Sequence, residues 1–355
     1  MTTRIPDVPP RISPIPDDTS RPLWSVMIPT YNCINFIKEA IESVLIQDPG
    51  SDIMQIQVID DHSTDGDVEA LVREIGDGRV LFFRQTRNVG SLRNFETCIN
   101  LSKGKYVHLL HGDDRVESGF YQEISHLFES NPEAGAAFTN YLYINQNSQK
   151  VDIINAPILP SPGIISDFLY QIAKHQLIQP PAIVVKRSVY ESIGSFYATH
   201  FGEDWEMWTR IASKYPVAYS PEYLASYRVG HGIGISHNYF MAGKNISEIK
   251  KVIDIIQNYL SVEKRKKYKN AASSYYAVFC VKIANGLLLK DKKGAFKQVK
   301  GAWSMSKGPT TSLWIIRFYL MYLTRYKQLE NILQYKKRRK KLQKIFSSYF
   351  SRLEL

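Results

Sequence analysis

Cysteine is scarce in this sequence of 355 residues, which contains three: Cys33, Cys98 and Cys280. They lie far apart and are odd in number, so they form neither the ligand spacing of a metal site nor a disulfide framework. We therefore expect a reducing compartment. The apolar segment of a secretory signal is also missing from residues 1–22, which are rich in proline and predicted to form a disordered lead-in.

Long apolar runs are absent as well. The most apolar stretch, Ser312–Leu323, offers about eleven helical residues that would extend only ~16 Å, against ~30 Å of bilayer hydrocarbon. It is too short to cross a membrane, and we expect either a buried helix or one lying in the membrane interface. No nucleic-acid-binding motif is present, so no nucleic-acid partner is expected.

Positive charge is concentrated in the C-terminal third of the chain. Residues 244–355 contain 26 Lys and Arg against 6 Asp and Glu, whereas residues 1–243 contain 19 against 28. This asymmetry predicts an acidic catalytic part and a basic part that faces an anionic surface.

The basic run 336–341 adjoins a stripe of apolar residues at helical spacing. A basic amphipathic helix with aromatic side chains is typical of membrane-surface binding. The alternative is that the stripe packs on the catalytic domain while the charges face water. The stripe consists of Leu342, Ile345, Phe346, Tyr349 and Phe350.

Strands and helices alternate along the first part of the chain with short connections. Short apolar runs at 24–29, 56–59, 80–83 and 107–110 are typical of buried strands, and amphipathic helical spacing lies between them. This alternation predicts an α/β fold with a doubly wound, mainly parallel sheet. We expect that domain over residues 23–238, followed by a basic region of helices only over residues 239–355.

The sequence VHLLHGDD at Val107–Asp114 ends a predicted strand in two adjacent carboxylates. Ligands bind at the carboxyl ends of strands in open α/β sheets. Carboxylate oxygens suit Mg²⁺ or Mn²⁺, and a divalent ion there would hold a diphosphate. The alternative is a polar turn, because Asp is a common turn residue.

Five short motifs follow one another in a characteristic order: IPTYN at 28–32, VIDDHSTDG at 58–66, RNVGSLRN at 87–94, LLHGDD at 109–114 and GEDWEMWTRIA at 202–212. In this order the chain resembles the glycosyltransferase family 2 enzymes of the GT-A fold, over about residues 24–237. The resemblance implies an inverting enzyme that uses a nucleoside-diphosphate sugar and a divalent cation, Mn²⁺ or Mg²⁺.

The resemblance implies a nucleotide site at the ends of the first strands. Pro29, Tyr31 and Asn32 would line it, and Asp60 would accept a hydrogen bond from the nucleobase. The alternative for the pair Asp60-Asp61 is capping of the following turn, which we expect for Asp61.

Two arginines are candidates for contacts with the phosphates. Arg93, one turn into a predicted helix, would reach a phosphate, or else lie on a solvated helix face. Arg228 would fold over the diphosphate, with the glycine-containing loop at 230–234 as a lid.

The central motif departs from the family pattern, which more often has Asp-x-Asp. By resemblance Asp113 would bind the metal, and Asp114 would support it or contact the ribose. His111 stands at the first acidic place, and its imidazole suits Mn²⁺ better than Mg²⁺. The alternative is that His111 forms a hydrogen bond with the nucleotide ribose.

Glu203 and Asp204 open a predicted amphipathic helix. In a first helical turn the helix dipole is expected to keep both carboxylates ionised. The resemblance assigns the general base to Asp204, with Glu203 orienting the site. Trp205 and Trp208 on that helix are expected in the core, with stacking on a sugar as the alternative.

We therefore expect a glycosyltransferase that moves a sugar, UDP-linked by family frequency, to a hydroxyl of a lipid-linked glycan. It would act in bacterial surface polysaccharide synthesis, as a peripheral protein on the cytoplasmic face of the membrane. One alternative is a sugar nucleotidyltransferase, although that needs a Gly-rich phosphate loop where this chain has Thr30-Tyr31-Asn32. The other is a non-catalytic protein that binds a membrane or nucleic acid.

Overall fold

The computed structural model describes residues 3–16, 19–151, 155–230 and 235–326. The chain divides into two compact units. The N-terminal unit comprises residues 1–237 and 248–272, and the C-terminal unit comprises residues 238–247 and 273–355. The sequence-based boundary after residue 238 lies beside the first division, but residues 248–272 belong to the N-terminal unit.

Nine strands of the described residues form one sheet. They are β1 Trp24–Thr30, β2 Met54–Asp60, β3 Leu81–Arg84, β4 Tyr106–Leu109, β5 Arg115–Val116, β6 Ala136–Ile144, β7 Gly163–Ile164, β8 Ile183–Lys186 and β9 Val217–Arg228. Their order across the sheet is β3-β2-β1-β4-β8-β6-β9-β5, with β7 paired to β9.

Helices fill most of the connections in the N-terminal part of the chain. They are α1 Ile34–Leu45, α2 Val68–Gly76, α3 Ser91–Leu101, α4 Phe120–Ser130, α5 Phe168–Ile172, α6 Arg187–Ile193 and α7 Glu203–Ala212. After β9 the described residues form helices: α8 Ile235–Ala242, α9 Lys244–Ile256, α10 Val262–Leu287, α11 Lys292–Met305 and α12 Pro309–Leu323, with a short 3-10 turn before α10.

The predicted fold class is confirmed. Strands β1 to β4 pair in parallel, as the strand–helix alternation predicts. Beyond β4 the sheet continues through antiparallel pairs with β8, although β6 and β9 pair in parallel. Val217–Arg228 forms one strand, β9, because its pairing with β6 continues through a register irregularity at Asn140.

The central strands are buried on both faces. Every residue of β1 and β2 is buried. Alternate side chains of β1, including Val26 and Ile28, share a core with Ile37 and Ile41 of α1 and with residues of α4. The burial of β1 and β2 holds their carboxyl ends side by side, which positions the candidate site.

The N-terminal segment, residues 3–16, contains no helix or strand. Even so, Ile12 is buried, and the carbonyls of Pro6 and Pro10 accept hydrogen bonds from Ala198 N and Ser195 N at 2.9 and 2.8 Å. These contacts differ from the disorder that the composition predicts, because a proline-rich backbone can still offer its carbonyls as acceptors.

The C-terminal unit has its own core. Cys280 and Val281 of α10 pack with Val299 of α11 and Phe318 of α12. Among the described residues, no helix combines the length and the apolarity that crossing a membrane requires. The basic run 336–341, the apolar stripe at 342–350 and the predicted lid loop at 231–234 lie outside the described residues.

Candidate active site

The carboxyl ends of β1 and β4 bring two of the motifs into contact. Gly112 N donates to Pro29 O at 3.1 Å. A β-carbon on Gly112 would lie 2.8 Å from Cys33 Sγ and 2.9 Å from Thr30 Oγ1, closer than real β-carbons approach other atoms. Glycine is therefore required at this position for the acidic motif to pack against the turn after β1.

Tyr31 and Asn32 occupy that turn in different ways. Tyr31 is half exposed, so one side of its ring is open to a ligand, whereas Pro29 is buried in β1. Asn32 has a φ of 50° and accepts a hydrogen bond of 2.8 Å on Oδ1 from Thr64 N. Asn32 thus joins the turn after β1 to the turn after β2.

The predicted nucleobase acceptor, Asp60, is fully buried at the end of β2. Its carboxylate accepts hydrogen bonds from the N–H and hydroxyl groups of Ser63 and lies 3.1 Å from Arg84 Nη1. This is the turn-capping arrangement named as the alternative, and a base could reach the carboxylate only by displacing these partners.

Asp61 does not cap the turn that follows it. Its carboxylate accepts hydrogen bonds from Asn88 Nδ2, Val89 N and Gly90 N at 2.9, 2.6 and 2.9 Å. Burial raises the pKa of Asp61. The residue therefore shapes the loop between β3 and α3, which the sequence alone did not indicate.

Arg93 is engaged by the N-terminal segment and by its own helix. Its Nε donates to Thr3 O at 2.9 Å, and its Nη1 pairs with Glu96 at 2.7 Å. The guanidinium ties α3 to the N-terminal segment. The structure thus favours neither the phosphate contact nor a freely solvated position.

His111, Asp113 and Asp114 form the acidic cluster predicted from the sequence. One ligand atom from each lies within 4.8 Å of the others. Asp114 Oδ2 is buried and has no hydrogen-bond partner among the described residues. Burial and the neighbouring Asp113 raise the pKa of Asp114 well above its usual range.

A divalent cation fits this cluster. The orphaned oxygen of Asp114 and the repulsion between adjacent carboxylates call for positive charge at this point. His111 stacks on the Phe95 ring with centroids 5.1 Å apart, and burial lowers its pKa, so the imidazole is neutral and can serve as a ligand.

Arg228 positions Asp113 and Asp114 through hydrogen bonds. Its backbone N–H donates to Asp114 Oδ1 at 2.8 Å, and its Nε donates to Asp113 O at 2.7 Å. The rest of the guanidinium is buried against Glu39 and the 145–148 turn and stacks over the Phe36 ring. The structure does not place this side chain to fold over a diphosphate, because its donors are engaged within the protein.

Glu203 and Asp204, at the start of α7, share a pocket with His111. Its apolar walls come from strands β4 and β8 and from the segments around α3, α6 and α7. The lining residues are Phe95, Leu109, His111, Pro180, Ile183, Tyr190, Phe196, Glu203, Asp204 and Trp208.

Burial dominates the electrostatics of the two carboxylates. It raises the pKa of Asp204 to about 6. Burial and the adjacent Asp204 raise the pKa of Glu203 well above its usual range. The expectation that the helix dipole keeps both ionised is therefore wrong for Glu203, because loss of solvent and the charge of Asp204 outweigh the dipole of the first turn. Asp204, with a pKa of about 6, is still mainly ionised at neutral pH.

The cluster and Asp204 approach each other although they are about ninety positions apart. Tyr227 connects them: its pKa is raised by burial and by the charges of Asp114, Asp204 and Asp113, which all lie within electrostatic range of its hydroxyl. Trp205 and Trp208 are buried, as expected of core residues.

Two residues that contact Asp204 or the loop before α7 were not predicted from the sequence. Gln176 Nε2 donates to Asp204 Oδ2 at 2.5 Å. Glu248, on α9, accepts a hydrogen bond of 2.9 Å from His200 N in the loop before α7. Both are distant in sequence from α7 and belong to no motif, so no local signal could have revealed them.

The chain is similar in sequence to known glycosyltransferases. The sequence model described as "Glycosyl transferase family 2" matches residues 25–194. An uncharacterised glycosyltransferase of Methanocaldococcus jannaschii is 25% identical over 216 residues, covering 60% of this chain and 72% of that protein. The Escherichia coli protein named UDP-Glc:alpha-D-GlcNAc-diphosphoundecaprenol beta-1,3-glucosyltransferase is 25% identical over 233 residues, covering 66% of this chain and 87% of that protein.

Two solved structures share the fold. Staphylococcus aureus TarS 1–349 with UDP-GlcNAc has a TM-score of 0.62 at 15% identity, covering 86% of this chain and 91% of that one. A mannosyltransferase of Pyrobaculum calidifontis with GDP-Man and Mn²⁺ has a TM-score of 0.50 at 17% identity, covering 87% and 89%. With the family model and the named relatives, these likenesses lead to one conclusion: residues 25–194 form a glycosyltransferase family 2 domain, built on the GT-A fold.

Proposed function

We propose that the chain transfers a sugar from a nucleoside-diphosphate sugar to an acceptor hydroxyl, with inversion at the anomeric carbon. The observation that carries this proposal is the shared pocket of His111, Glu203 and Asp204. It brings a carboxylate with a pKa of about 6 beside a cluster suited to a cation. A general base is most effective when its pKa lies near the working pH.

Asp204 is the proposed base. Its carboxylate takes the proton from the acceptor hydroxyl as that oxygen attacks the anomeric carbon. The bond from this carbon to the phosphate oxygen breaks, and the nucleoside diphosphate leaves with the bonding electron pair. Glu203, kept protonated by burial and by Asp204, would orient the acceptor as a hydrogen-bond donor. A single in-line displacement inverts the configuration.

Asp113 and His111 are the proposed metal ligands, with Asp114 supporting them. A divalent cation held there would neutralise charge on the leaving diphosphate. We propose Mn²⁺ ahead of Mg²⁺, because an imidazole ligand suits Mn²⁺ better. The complex of the P. calidifontis mannosyltransferase with Mn²⁺ supports a cation in this fold.

Pro29, Tyr31 and Asn32 are the proposed contacts of the nucleotide, with the open ring of Tyr31 against the base. Asp60 and Arg93 are proposed to bind the nucleotide after giving up the hydrogen bonds and ion pairs that they now form within the protein. Arg228 acts by positioning Asp113 and Asp114. UDP is the proposed nucleotide, supported by the UDP-sugars that the E. coli relative and TarS carry in their names.

The proposed acceptor is a lipid-linked glycan in bacterial surface polysaccharide synthesis. The E. coli relative is named for a diphosphoundecaprenol acceptor, which supports this assignment. Such an acceptor would place the protein at the inner face of the cell membrane, as a peripheral protein.

A donor-hydrolysis and transfer assay tests the proposal. We expect the wild-type protein to hydrolyse a UDP-sugar with added Mn²⁺, and Asp204→Asn to bind the donor with unchanged affinity while losing transfer. Glu222→Gln, which changes an exposed carboxylate in β9, is the matched control. Transfer at the wild-type rate in Asp204→Asn would mean that the base lies elsewhere.

A further inference from the structure

Helix α12 exposes a row of large apolar side chains. Leu313, Ile316, Leu320 and Leu323 are 67%, 55%, 57% and 72% exposed. Their spacing places them along one side of the helix over about 15 Å. We refer to these four residues as the α12 apolar face. Soluble monomers rarely leave a contiguous apolar row in water unless it serves an interaction.

The opposite side of α12 is packed. Phe318 is fully buried and meets the Phe296 ring edge-on at 5.7 Å, and Thr311 is also buried. The rotation of the helix about its axis is therefore set by its contacts with α11. The α12 apolar face is exposed because the helix has already buried its other side.

The unit that carries this face is cationic. The described part of the C-terminal unit, residues 238–247 and 273–326, contains ten Lys and Arg against one Asp, a net charge of +9. Arg317 is exposed on α12 itself, and Lys307 lies 5.9 Å from the ring centroid of Trp303, which is 45% exposed.

This charge decides between the possible occupants. A second copy of the chain would place this part of its C-terminal unit, with a net charge of +9, against the same charge. The segment 327–355 contains nine Lys and Arg against two Glu, a net of +7, and is repelled in the same way. An anionic lipid surface is complementary both to the cations and to the apolar row.

We propose that the α12 apolar face inserts into the interfacial region of an anionic phospholipid membrane, with the surrounding Lys and Arg side chains on the headgroup phosphates. This goes beyond the attachment expected from the basic run 336–341, and it decides between the two alternatives that the sequence leaves open for Ser312–Leu323 by naming the residues that insert. It is also independent of the chemistry at the active site.

Vesicle co-sedimentation of the full chain tests the proposal, with vesicles of phosphatidylcholine alone or mixed equally with phosphatidylglycerol. We expect binding to the anionic vesicles, and a loss of about tenfold or more in Ile316→Glu/Leu320→Glu. The matched control is Val262→Glu/Leu289→Glu, which adds the same charge at exposed apolar residues outside α12. We expect the control to bind as the wild type does.

Brominated acyl chains provide a second measurement, because they quench a tryptophan that enters the membrane. We expect quenching of tryptophan fluorescence in the wild type, weaker quenching in Trp303→Phe, which keeps Trp314 on α12, and loss of quenching in Ile316→Glu/Leu320→Glu. The proposal would be overturned if both double variants bound vesicles as the wild type does, or if both lost binding to the same extent.

A dimer of the wild type in light scattering that becomes a monomer in Ile316→Glu/Leu320→Glu would assign the face to a second copy instead. Donor hydrolysis without lipid, unchanged in both double variants, separates this inference from the proposed reaction.

Discussion

The side-chain amide of Gln176 donates a hydrogen bond of 2.5 Å to Asp204 Oδ2, across 28 positions of sequence. This bond stabilises the ionised carboxylate and lowers its pKa, while burial raises it. The balance leaves the pKa of Asp204 at about 6, where a carboxylate can both lose and accept a proton near neutral pH.

Replacing Gln176 by Leu should move the acidic limb of the pH–rate profile to higher pH. The base must be ionised to act, so activity falls below the pKa of Asp204, and loss of the hydrogen bond raises that pKa further. We expect kcat/KM at pH 6 to fall about threefold, with little change at high pH. Gln171→Leu removes an amide that donates instead to Ser166 O, and its profile should match that of the wild type.

Asp113→Asn should abolish the response to metal. The wild-type melting temperature is expected to rise on addition of Mn²⁺, because a ligand bound only by the native state stabilises it. The variant should show no rise and about a hundredfold lower kcat/KM. Without metal it should melt no lower than the wild type, since the repulsion with Asp114 is removed. Asp52→Asn, at an exposed site, should respond to Mn²⁺ normally; an equal rise in Asp113→Asn would remove Asp113 from the ligand set.

Gly112→Ala should destabilise the protein by about 1–3 kcal/mol, because overpacking forces the surrounding atoms apart. The added methyl group would lie 2.8 Å from Cys33 Sγ. Cys33→Ala removes that atom, so the double variant should recover part of the loss in urea unfolding. Strictly additive effects of the two substitutions would show that the contact does not limit the packing.

Arg228→Ala should cost about 3 kcal/mol, because it removes the hydrogen bonds of a buried guanidinium to Asp113 O and Asn145 O and its ion pair with Glu39. Arg73→Ala breaks an ion pair with Glu69 in which the arginine side chain is 77% exposed, and should cost less than about 1 kcal/mol. Urea unfolding compares the two. Similar losses in both variants would contradict the positioning role of Arg228.

Ile12→Asp should destabilise the chain by about 1–3 kcal/mol, since Ile12 is 3% exposed and a carboxylate there would be buried. Val8→Asp makes the same change at a residue 70% exposed and should be close to neutral. Thermal melting of the two variants decides whether the N-terminal segment is packed. If Ile12→Asp melts with the wild type, the segment is disordered, as its composition predicts.

Local sequence determined a large part of the architecture. The apolar runs at 24–29 and 56–59 lie within strands β1 and β2, and helix α7 begins at Glu203 as expected. Such patterns succeed because burial of one face or of a whole strand leaves a periodic signature in the chain. The order of the motifs also indicated the family and the position of the acidic cluster.

Tertiary structure alone decided how the functional side chains are used. Arg228 and Asp60 are expected to contact the nucleotide sugar, yet contacts with Glu39 and Arg84 enclose them. Gln176 became a partner of Asp204, and burial of the start of α7 raised the pKa of Asp204 to about 6 and reversed the expected ionisation of Glu203. The physical reason is that desolvation and hydrogen bonding depend on atoms brought together from distant parts of the chain, and a local pattern contains no record of them.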